Sequence, residues 1–423
     1  MLQISFLREN SEFAVERLKV RGIDAAADIA HALELDKAVR EAKTNFEAQK
    51  AEANKIAKSI GELFKTGKAE EANQLKARSS ELKESSKTLQ EQIANNQEAL
   101  DKLLYTLPNL PSKQVPSGTN ENDNEVVFEF GDIPYQNHKK VPHWEIATAK
   151  NLIDFELGNK VTGAGFPFYK GYGALYQRAL INFFLTEATK AGYTEYQAPL
   201  LVNEDSGFGT GQLPDKEGQM YHVTEDNLYL IPTAEVPITN IFRNTILTEM
   251  DLPIKSTGYT PCFRREAGSY GKDVRGLNRL HQFDKVEIVQ IAHPSKSYEI
   301  LEDMLSHSKS LLEKLGLKFR VLKLCGGDLG FTSALTYDLE VYSAAQEKWL
   351  EVSSVSNFEN FQANRLKLRY KDAEGNITLC HTLNGSALAL PRVLAALLEN
   401  YQSEEGIHIP EVLQPFMGIS IIK

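Results

Sequence analysis

The sequence CFRREAGSYGKDVRGLNRLHQFDKVEIV, residues 262–289, decides the fold. Two strand-like runs flank a loop that is rich in Gly, Lys and Arg. Residues two apart on a strand point to the same face, so Arg264 and Glu266 are predicted to share one face of the first run. The second run places three side chains on one face, those of Phe283, Lys285 and Glu287. The spacing alone leaves two interpretations open: a salt bridge on a solvated sheet face, or a hairpin that binds a phosphorylated ligand.

Three other stretches carry side chains that suit a nucleotide and a small amine. In LEVSSVSNF, Glu351 and Ser354 could offer hard oxygens to Mg²⁺. In TLNGSALALPRVLAALLENY, a Gly-Ser turn is expected to open an apolar helix whose first turns carry Arg392. That arginine suits a phosphate or a base, and equally a plain surface position. In LIPTAEVPITN, Thr233 and Glu235 are predicted to share a face, where they would bind a small amine or form an N-cap pair.

The surrounding pattern predicts an α+β domain. Short strand-like runs such as EVVFEF, NLYLIP and FRVLKL alternate with helical segments. Such an alternation, with many polar positions in the strands, is typical of a mainly antiparallel sheet flanked by helices. The sequence has no G-x-x-x-x-G-K-[ST] motif, so any ATP is expected to bind without a P-loop.

The N-terminal part of the chain carries a heptad pattern. The core positions of a first helix are Leu35, Val39, Ala42, Phe46, Gln49, Ala53, Ile56, Ile60 and Leu63. Those of a second helix are Ala72, Leu75, Ser79, Leu82, Ser86, Leu89, Ile93, Asn96, Leu100 and Leu103. This 3.5-residue period predicts an antiparallel two-helix coiled coil over residues 29–105 that turns near Gly67. It would serve either as a dimerising element or as a lever that reaches a distant partner.

Charge at the far end of this hairpin favours a polyanionic partner. From Lys50 to Arg78 the chain has seven basic and four acidic residues, although the whole protein has a net charge of −10. Such runs often only keep a helix face solvated, so the indication is weak.

Composition excludes several classes of protein. A net charge of −10 over 423 residues argues against indiscriminate binding to DNA or to an anionic membrane. The chain has no apolar run long enough to span a bilayer, and its N-terminus lacks the apolar core of a signal peptide. A protein of the cytoplasm is therefore expected, or one of an organelle matrix if a presequence was lost. Cys262, Cys325 and Cys380 are far apart, which predicts idle thiols and no zinc site.

A linker divides the chain. The stretch TLPNLPSKQVPSGTNENDNE has three prolines followed by a polar run, which ends the second helix. We therefore predict an N-terminal domain at 1–110, a linker at 111–125 and a second domain at 126–423.

The long motifs resemble those of a known family. Arg264-Arg265-Glu266 with GLNRLHQFDKVE is similar to motif 2 of class II aminoacyl-tRNA synthetases. NGSALALPR is similar to motif 3, and YTEYQAPLLVN, with Pro199, to motif 1. Together with FGTGQLP, PTAEVP and the two-helix arm, they resemble the seryl-tRNA synthetases of the bacterial type. The resemblance covers essentially the whole chain.

The resemblance implies a fold, a reaction and partners. The fold is a class II catalytic domain with a six- or seven-stranded antiparallel sheet, preceded by the coiled-coil arm and paired into a homodimer through motif 1. L-serine and ATP would form seryl-adenylate, and serine would then pass to the 3′ end of tRNA-Ser, with AMP and diphosphate released. The arm would bind the tRNA. Transfer to tRNA-Sec is implied only where selenocysteine is made.

The resemblance also implies ATP contacts. Arg264 would bind the α-phosphate and Glu266 the adenine amino group. Phe283 would stack on one face of the adenine, while Arg392 would cover the other face and reach the γ-phosphate. Arg264, Glu266 and Arg392 are thus the expected catalytic residues. The implied ATP-binding set is Arg264, Arg265, Glu266, Phe283, Glu351, Val352, Ser353, Ser354 and Arg392.

The same resemblance implies a magnesium site and a serine site. Glu351 and Ser354 would ligate Mg²⁺. Serine would lie among Thr233, Ala234, Glu235, Glu287 and Ser386, with its ammonium group or hydroxyl near Glu287. Adenylate formation needs charge neutralisation more than proton transfer, because the carboxylate of serine is already the nucleophile.

The chain departs from the family pattern at three places. Ala387 stands where motif 3 usually has a second glycine, which would narrow the space beside the nucleotide by one methyl group. Pro391 stands where a small residue is common, and Asp215-Lys216 replaces a basic-aromatic pair.

Two other functions compete with a synthetase. An amino acid:carrier-protein ligase shares the catalytic fold but lacks the long arm, so residues 29–105 argue against it. A catalytically inactive RNA-binding paralogue would have lost at least one of four functional side chains. All four are present: Arg264, Glu266, Glu351 and Arg392.

Overall fold

The computed structural model describes residues 1–135, 138–215, 217–266 and 275–423. These residues form two compact units. The helical unit comprises Met1–Lys19 and Ile23–Pro108, and the sheet unit comprises Val20–Gly22 and Asn109–Lys423. No helix in these ranges is long and apolar enough to cross a bilayer.

The helical unit contains the predicted two-helix arm. Its helices are α1 (Ile4–Glu9), α2 (Ser11–Lys19), α3 (Ala26–Lys65) and α4 (Ala69–Thr106). Gly67 turns the chain between α3 and α4 with φ +77°, a conformation that glycine adopts without a steric penalty. Five predicted core positions are buried: Val39, Ala42, Ala72, Leu82 and Leu100. Across the seam, Gln49 Nε2 donates to Ser85 Oγ at 2.9 Å and Ser86 Oγ donates to Gln49 Oε1 at 3.2 Å. The prediction of a long two-helix arm is confirmed.

The sheet unit alternates strands and helices, as the α+β prediction required. Its helices are α5 (His143–Ala149), α6 (Phe155–Val161), α7 (Tyr172–Lys190), α8 (Glu204–Thr210), α9 (Glu235–Asn240), α10 (Ser297–Lys314), α11 (Phe361–Leu366), α12 (Leu390–Asn400) and α13 (Gln414–Met417). Its strands are β1 (Glu125–Phe130), β2 (Ile153–Asp154), β3 (Phe168–Tyr169), β4 (Thr194–Glu195), β5 (Leu201–Asn203), β6 (His222–Val223), β7 (Leu228–Leu230), β8 (Ile246–Thr248), β9 (Ile254–Phe263), β10 (Gln282–Ala292), β11 (Phe319–Lys323), β12 (Leu335–Ser343), β13 (Lys348–Asn357), β14 (Arg369–Lys371), β15 (Ile377–Leu379), β16 (His381–Ala389), β17 (Gln402–Ser403), β18 (Gly406–His408) and β19 (Ile421–Ile422).

One large sheet organises this unit. Within the described residues it has eight strands in the order β1-β11-β12-β13-β16-β10-β9-β4. Neighbouring strands are antiparallel except β4, which pairs with β9 in parallel at one edge. The class II synthetase fold is confirmed. The sheet is wider than the six or seven strands expected, because the two-residue strand β4 adds itself to the edge.

The two faces of the sheet differ in chemistry. On one face, α7, α10 and α12 pack over an apolar core that includes Val286, Ile288, Leu339 and Val355. Since side chains alternate along a strand, the residues between these core positions point to the opposite face. That opposite face contacts α9 and α11 and carries the polar residues described next. All three cysteines are buried and free.

Candidate active site

Strand register brings the predicted site residues to one face of the sheet. Glu287 lies opposite Gly258 on β9 and Ser386 on β16. Two further cross-strand pairs continue this face outward, Ser356 with Asn384 and Asp338 with Ser354. Directly opposite residues in antiparallel strands share a face. The following side chains therefore point to the same side of the sheet: Phe283, Lys285, Glu287, Asp338, Ser354, Asn384 and Ser386.

A β-bulge adds Glu351 to this face. Glu351 and Ser354 are three residues apart, so a regular strand would point them to opposite faces. The pairing of β12 with β13 shifts from Leu339↔Ser353 to Glu340↔Glu351, which leaves Val352 as the extra residue. Bulges re-aim side chains in this way beside active sites. Val352 consequently faces the apolar core, and Glu351 joins Ser354 on the polar face.

Glu287 is the most enclosed carboxylate of this face. Its side chain is 1% exposed, and Lys285 Nζ lies 2.7 Å from its Oε2 atom. Thr233 Oγ1 donates to the same oxygen at 3.2 Å, and Asn384 Nδ2 donates to Oε1 at 3.0 Å. A buried carboxylate is stable only when its oxygens have such partners. Both oxygens of the buried Glu287 carboxylate therefore have protein partners.

A second buried carboxylate lies at the start of α9. Glu235 Oε1 accepts a hydrogen bond from Gln362 Nε2 at 2.6 Å. The backbone N–H of Glu235 donates to Thr233 Oγ1 at 3.3 Å, but the N-cap residue of α9 is the fully buried Ala234, which has no side-chain cap, so Thr233 and Glu235 are not an N-cap pair. Burial, and then repulsion by Glu287, raise the pKa of Glu235 to about 7.

The prediction that Arg264 and Glu266 share a strand face is wrong. Strand β9 ends at Phe263, and Glu266 has φ +49°, which lies outside the extended region of backbone conformation. The Arg264 guanidinium instead lies 5.2 Å from the centre of the Phe283 ring. Glu266 pairs with Arg279 at 2.6 Å. Arg265 is held through its backbone N–H, which donates to the Gln219 carbonyl at 2.8 Å.

Most of the loop rich in Gly, Lys and Arg, residues 267–274, lies outside the described residues.

Arg392 lies in the first turn of an apolar helix, as expected, but the prediction of a Gly-Ser turn that opens this helix is wrong. Gly385 and Ser386 form no turn but lie inside β16, and α12 begins only at Leu390. Proline is favourable in the first turn of a helix, which accounts for Pro391. Arg392 Nε donates to the Asn278 carbonyl and Nη1 to the Glu351 carbonyl, both at 2.9 Å.

The other two departures from the family pattern also have structural explanations. Ala387 is fully buried within the apolar core, so its methyl group does not narrow the polar face as expected. Asp215 closes its own loop, because both of its side-chain oxygens accept backbone hydrogen bonds, from Gln219 and Met220 at 2.9 and 2.8 Å. Lys216 lies outside the described residues.

Comparison with known proteins agrees with this geometry. The family model for the seryl-tRNA synthetase N-terminal domain matches residues 1–111, and that for the class II core domain of the G, H, P, S and T synthetases matches residues 221–401. The serine–tRNA ligase of Salinibacter ruber is 49% identical over 424 residues, covering 100% of this chain and 99% of that protein.

Two solved structures match the fold closely. The seryl-tRNA synthetase of Pyrococcus horikoshii, complexed with ATP, superimposes with a TM-score of 0.93 at 33% identity, and covers 100% of this chain and 99% of that one. The cytoplasmic serine–tRNA ligase of Naegleria fowleri, in complex with AMP, gives 0.89 at 29% identity with the same coverage.

The chain belongs to the seryl-tRNA synthetase family. It is therefore an aminoacyl-tRNA ligase that joins serine to tRNA with ATP as a substrate. The two alternatives, a carrier-protein ligase and an inactive RNA-binding paralogue, receive no support from these relatives.

The structure of this synthetase adds polar residues that the sequence analysis did not assign to the site. Asn384 and Gln362 each bind one of the two buried carboxylates. Asn384 lies two residues before Ser386, so strand alternation could have identified it. Gln362 lies on α11, distant in sequence, and only the fold brings it to Glu235.

Asp338 is a third such residue. Its carboxylate has a hydrogen bond with the Ser354 side chain, while its Oδ1 atom is buried without a partner among the described residues. Burial, and then repulsion by Glu351, raise the pKa of Asp338 well above its usual value. The unpartnered oxygen suggests that a ligand completes this position.

Proposed function

We propose that the polar face of the sheet activates L-serine with ATP through the residues that the family resemblance assigned. The observation that supports this most strongly is the shared face of Phe283, Glu287 and Ser386, with Glu351 added by the bulge. A nucleotide and an amino acid bound on that face would lie side by side, as formation of a mixed anhydride requires.

The three expected catalytic residues each have a protein partner that ATP would replace. Arg264 covers the Phe283 ring, Glu266 pairs with Arg279, and Arg392 lies 3.8 Å from the Glu351 carboxylate. We propose that adenine takes the place of the Arg264 guanidinium on Phe283. Arg264 then binds the α-phosphate, Glu266 binds the adenine amino group, and Arg392 covers the opposite side and reaches the γ-phosphate.

Residues 351–354 and Arg265 complete the proposed ATP site. Val352 and Ser353 act through the backbone, because Val352 faces the core and Ser353 Oγ donates to the Ser386 carbonyl at 2.6 Å. They hold Glu351 and Ser354 at their positions. Arg265 is held by its backbone, which leaves its guanidinium available to the polyphosphate.

A magnesium ion fits the residues present. Glu351, Ser354 and the unpartnered Oδ1 of Asp338 supply hard oxygens, the ligands that Mg²⁺ prefers. The described residues contain no group of three His, Cys, Asp or Glu side chains that could hold a metal alone, so water and ATP oxygens would supply the other ligands. When bound, the ion would neutralise charge that develops on the phosphates.

We propose that serine binds among Thr233, Ala234, Glu235, Glu287 and Ser386. Two buried carboxylates, those of Glu235 and Glu287, would lie near one ammonium group. Lys285 Nζ lies 2.7 Å from Glu287 and offsets the second negative charge. Alanine lacks the hydroxyl and would leave buried polar groups unpaired, which disfavours it strongly.

Further proposals concern the whole protein. The arm, within an N-terminal domain of residues 1–110, binds tRNA-Ser, and binds tRNA-Sec only where selenocysteine is made. The linker spans 111–125 and the catalytic domain 126–423. The enzyme acts in the cytoplasm as a homodimer formed through motif 1. Exposed apolar side chains between α6 and the start of α7, the helix that leads to that motif, support pairing: Leu157, Val161, Phe168 and Tyr172.

The decisive experiment is serine-dependent exchange of pyrophosphate into ATP, followed by charging of purified tRNA-Ser. Exchange supported by alanine or glycine in place of serine would contradict the proposed amino acid site. Unchanged exchange in the Glu287→Gln variant would contradict the assignment of the buried carboxylate. The expected result is exchange with serine only, and loss of most of it in that variant.

A further inference from the structure

A closed ring of buried and half-buried hydrogen bonds connects α5, α12 and the segment that holds Arg392. His143 Nδ1 lies 2.7 Å from Glu399 Oε1, and both side chains are fully buried. Gln346 Nε2 donates to the same Glu399 oxygen at 3.0 Å, and Asn278 Nδ2 donates to Gln346 Oε1 at 2.8 Å. The Leu277 N–H donates to His143 Nε2 at 2.8 Å and closes the ring. Four separate segments of the chain thus share one polar network.

The ring fixes the tautomer of His143. A backbone N–H can only donate, so Nε2 must accept from Leu277 and the ring proton must be on Nδ1. That proton is donated to Glu399. Burial alone would raise the pKa of Glu399, but hydrogen bonds from His143 and Ser343 lower it below its usual value. The imidazole therefore joins an ionised carboxylate to a backbone amide.

The same network reaches Arg392. Arg392 and Glu399 are seven residues apart on α12, which is about two turns and places them on one face of the helix. Arg392 Nε donates to the carbonyl of Asn278, and Glu399 holds Asn278 through Gln346. Residues 277 and 278 are therefore linked to α12 near both of its ends, directly at Arg392 and through His143 and Gln346 at Glu399.

We propose that His143 is a positioning residue for ATP, because it holds the Leu277–Asn278 segment where the Asn278 carbonyl orients the Arg392 guanidinium. The inference rests on the proposed contact between Arg392 and ATP. It adds to that function a residue distant in sequence, on α5, that does not touch the nucleotide.

A purely structural role is the competing explanation, since a buried histidine with two partners stabilises a core in any protein. The two explanations differ in what they predict for the substrates. Loss of core stability would affect serine and ATP alike. Loss of the Leu277 contact would displace Arg392 and affect ATP alone, because Glu287 and its partners are not part of the ring.

The test uses two substitutions, each of which keeps the hydrogen-bonding group of only one imidazole nitrogen. His143→Asn keeps a donor near Nδ1 for Glu399 but has no acceptor for the Leu277 N–H. His143→Gln offers an acceptor near Nε2 but loses the donor to Glu399. We expect the KM for ATP in pyrophosphate exchange to rise roughly tenfold or more in His143→Asn, since misplacing a binding group costs up to about 100-fold. We expect the KM for ATP to change by less than about threefold in His143→Gln. The KM for serine should stay unchanged in both variants.

Amide hydrogen exchange at Leu277 gives a second readout that does not depend on activity. It should be faster in His143→Asn and near that of the parent protein in His143→Gln. Equal effects of the two variants on ATP, or equal effects on ATP and serine, would overturn the proposal and leave a structural role.

Two further variants keep the outcome decidable. Gln346→Ala, at a half-buried position, cuts the link to Asn278 without changing the core histidine. If the His143 variants do not fold, Gln346→Ala must raise the KM for ATP and not that for serine, or the proposal fails.

Arg392→Ala distinguishes failure of the His143 proposal from failure of the proposed contact between Arg392 and ATP. If it leaves the KM for ATP unchanged, the assigned role of Arg392 is wrong and the proposal falls with it. In that case a Leu277 exchange rate raised in His143→Asn would show only that the contact exists.

Discussion

At the scale of single residues, Glu235 gives the synthetase a titration near neutral pH. Its pKa is raised to about 7 by burial and by Glu287, so the neutral carboxyl predominates below that pH. Only the ionised form attracts an ammonium group. We expect kcat/KM for serine in pyrophosphate exchange to rise with pH and to level off above about 7. Glu235→Gln should lower kcat/KM and remove this inflection, and a variant that keeps it would contradict the assignment.

The same residue makes stability depend on pH. Because the folded pKa is raised above the ordinary carboxyl value, the contribution of Glu235 to stability is complete at low pH. It is lost as the pH rises from the ordinary value through about 7. The serine-free protein should therefore lose more thermal stability between pH 5 and 7 than its Glu235→Gln variant.

Asp338 provides a second prediction at this scale. If its unpartnered Oδ1 helps to hold the metal, Asp338→Asn should weaken binding of Mn²⁺, used as a spectroscopic probe in the presence of ATP, by about 10- to 100-fold. Glu340→Gln is the matched control, because Glu340 lies on the same face of β12 but is already paired with Arg320 at 2.6 Å. Similar Mn²⁺ affinities in the two variants, measured by electron paramagnetic resonance, would rule out a metal role for Asp338.

At the scale of elements, the bulge in β13 decides whether the metal residues meet. Deletion of both Val352 and Ser353 would remove the bulge and make Glu351 and Ser354 adjacent, which puts them on opposite faces of a regular strand. We expect this deletion to abolish pyrophosphate exchange and Mn²⁺ binding in the presence of ATP. Val352→Ala shortens the side chain but keeps the bulge, so it should retain both at reduced thermal stability. A doubly deleted variant with normal exchange would show that Glu351 need not share a face with Ser354.

The elements also show how far the sequence could predict this protein. The heptads of α3 and α4 and the alternation of β10 were predictable, because a long period and a single buried face are encoded locally. The end of β9 at Phe263 and the strand conformation around Ser386 were not. A positive φ at Glu266 and a bulge in β16 are set by neighbouring strands, and neither leaves a pattern in its own segment.

The site was predictable where family motifs carried it and incomplete where only the fold brings residues together. Arg264, Glu287 and Arg392 stand in long motifs that are hard to obtain by chance. Asp338, Gln362 and His143 act from other strands and helices. Their roles follow from cross-strand register and buried hydrogen bonds, which a single sequence does not show.

At the scale of the whole molecule, the two units allow their functions to be separated. The arm helices have 40 and 38 residues, so α3 extends about 60 Å, and the polar face belongs to the other unit. Gln49 pairs with Ser85 and Ser86 across the seam, which identifies a position where both helices can be cut in register. Replacing residues 50–85 by a short glycine-rich turn would keep the lower part of the arm.

We expect the shortened protein to keep serine-dependent pyrophosphate exchange, because every residue proposed for adenylation lies in the sheet unit. Charging of tRNA-Ser should fall by an order of magnitude or more, since recognition of a folded RNA depends on shape and phosphate contacts over an extended surface. A full-length control has the seven basic residues from Lys50 to Arg78 changed to Gln. It keeps the length of the arm and removes the positive charge at its far end, so it distinguishes the two contributions to tRNA binding. If the tip acts through charge, this control should charge tRNA poorly and lose its salt dependence; if it acts through shape, it should charge normally. Normal charging by the shortened protein would contradict any role of the distal arm.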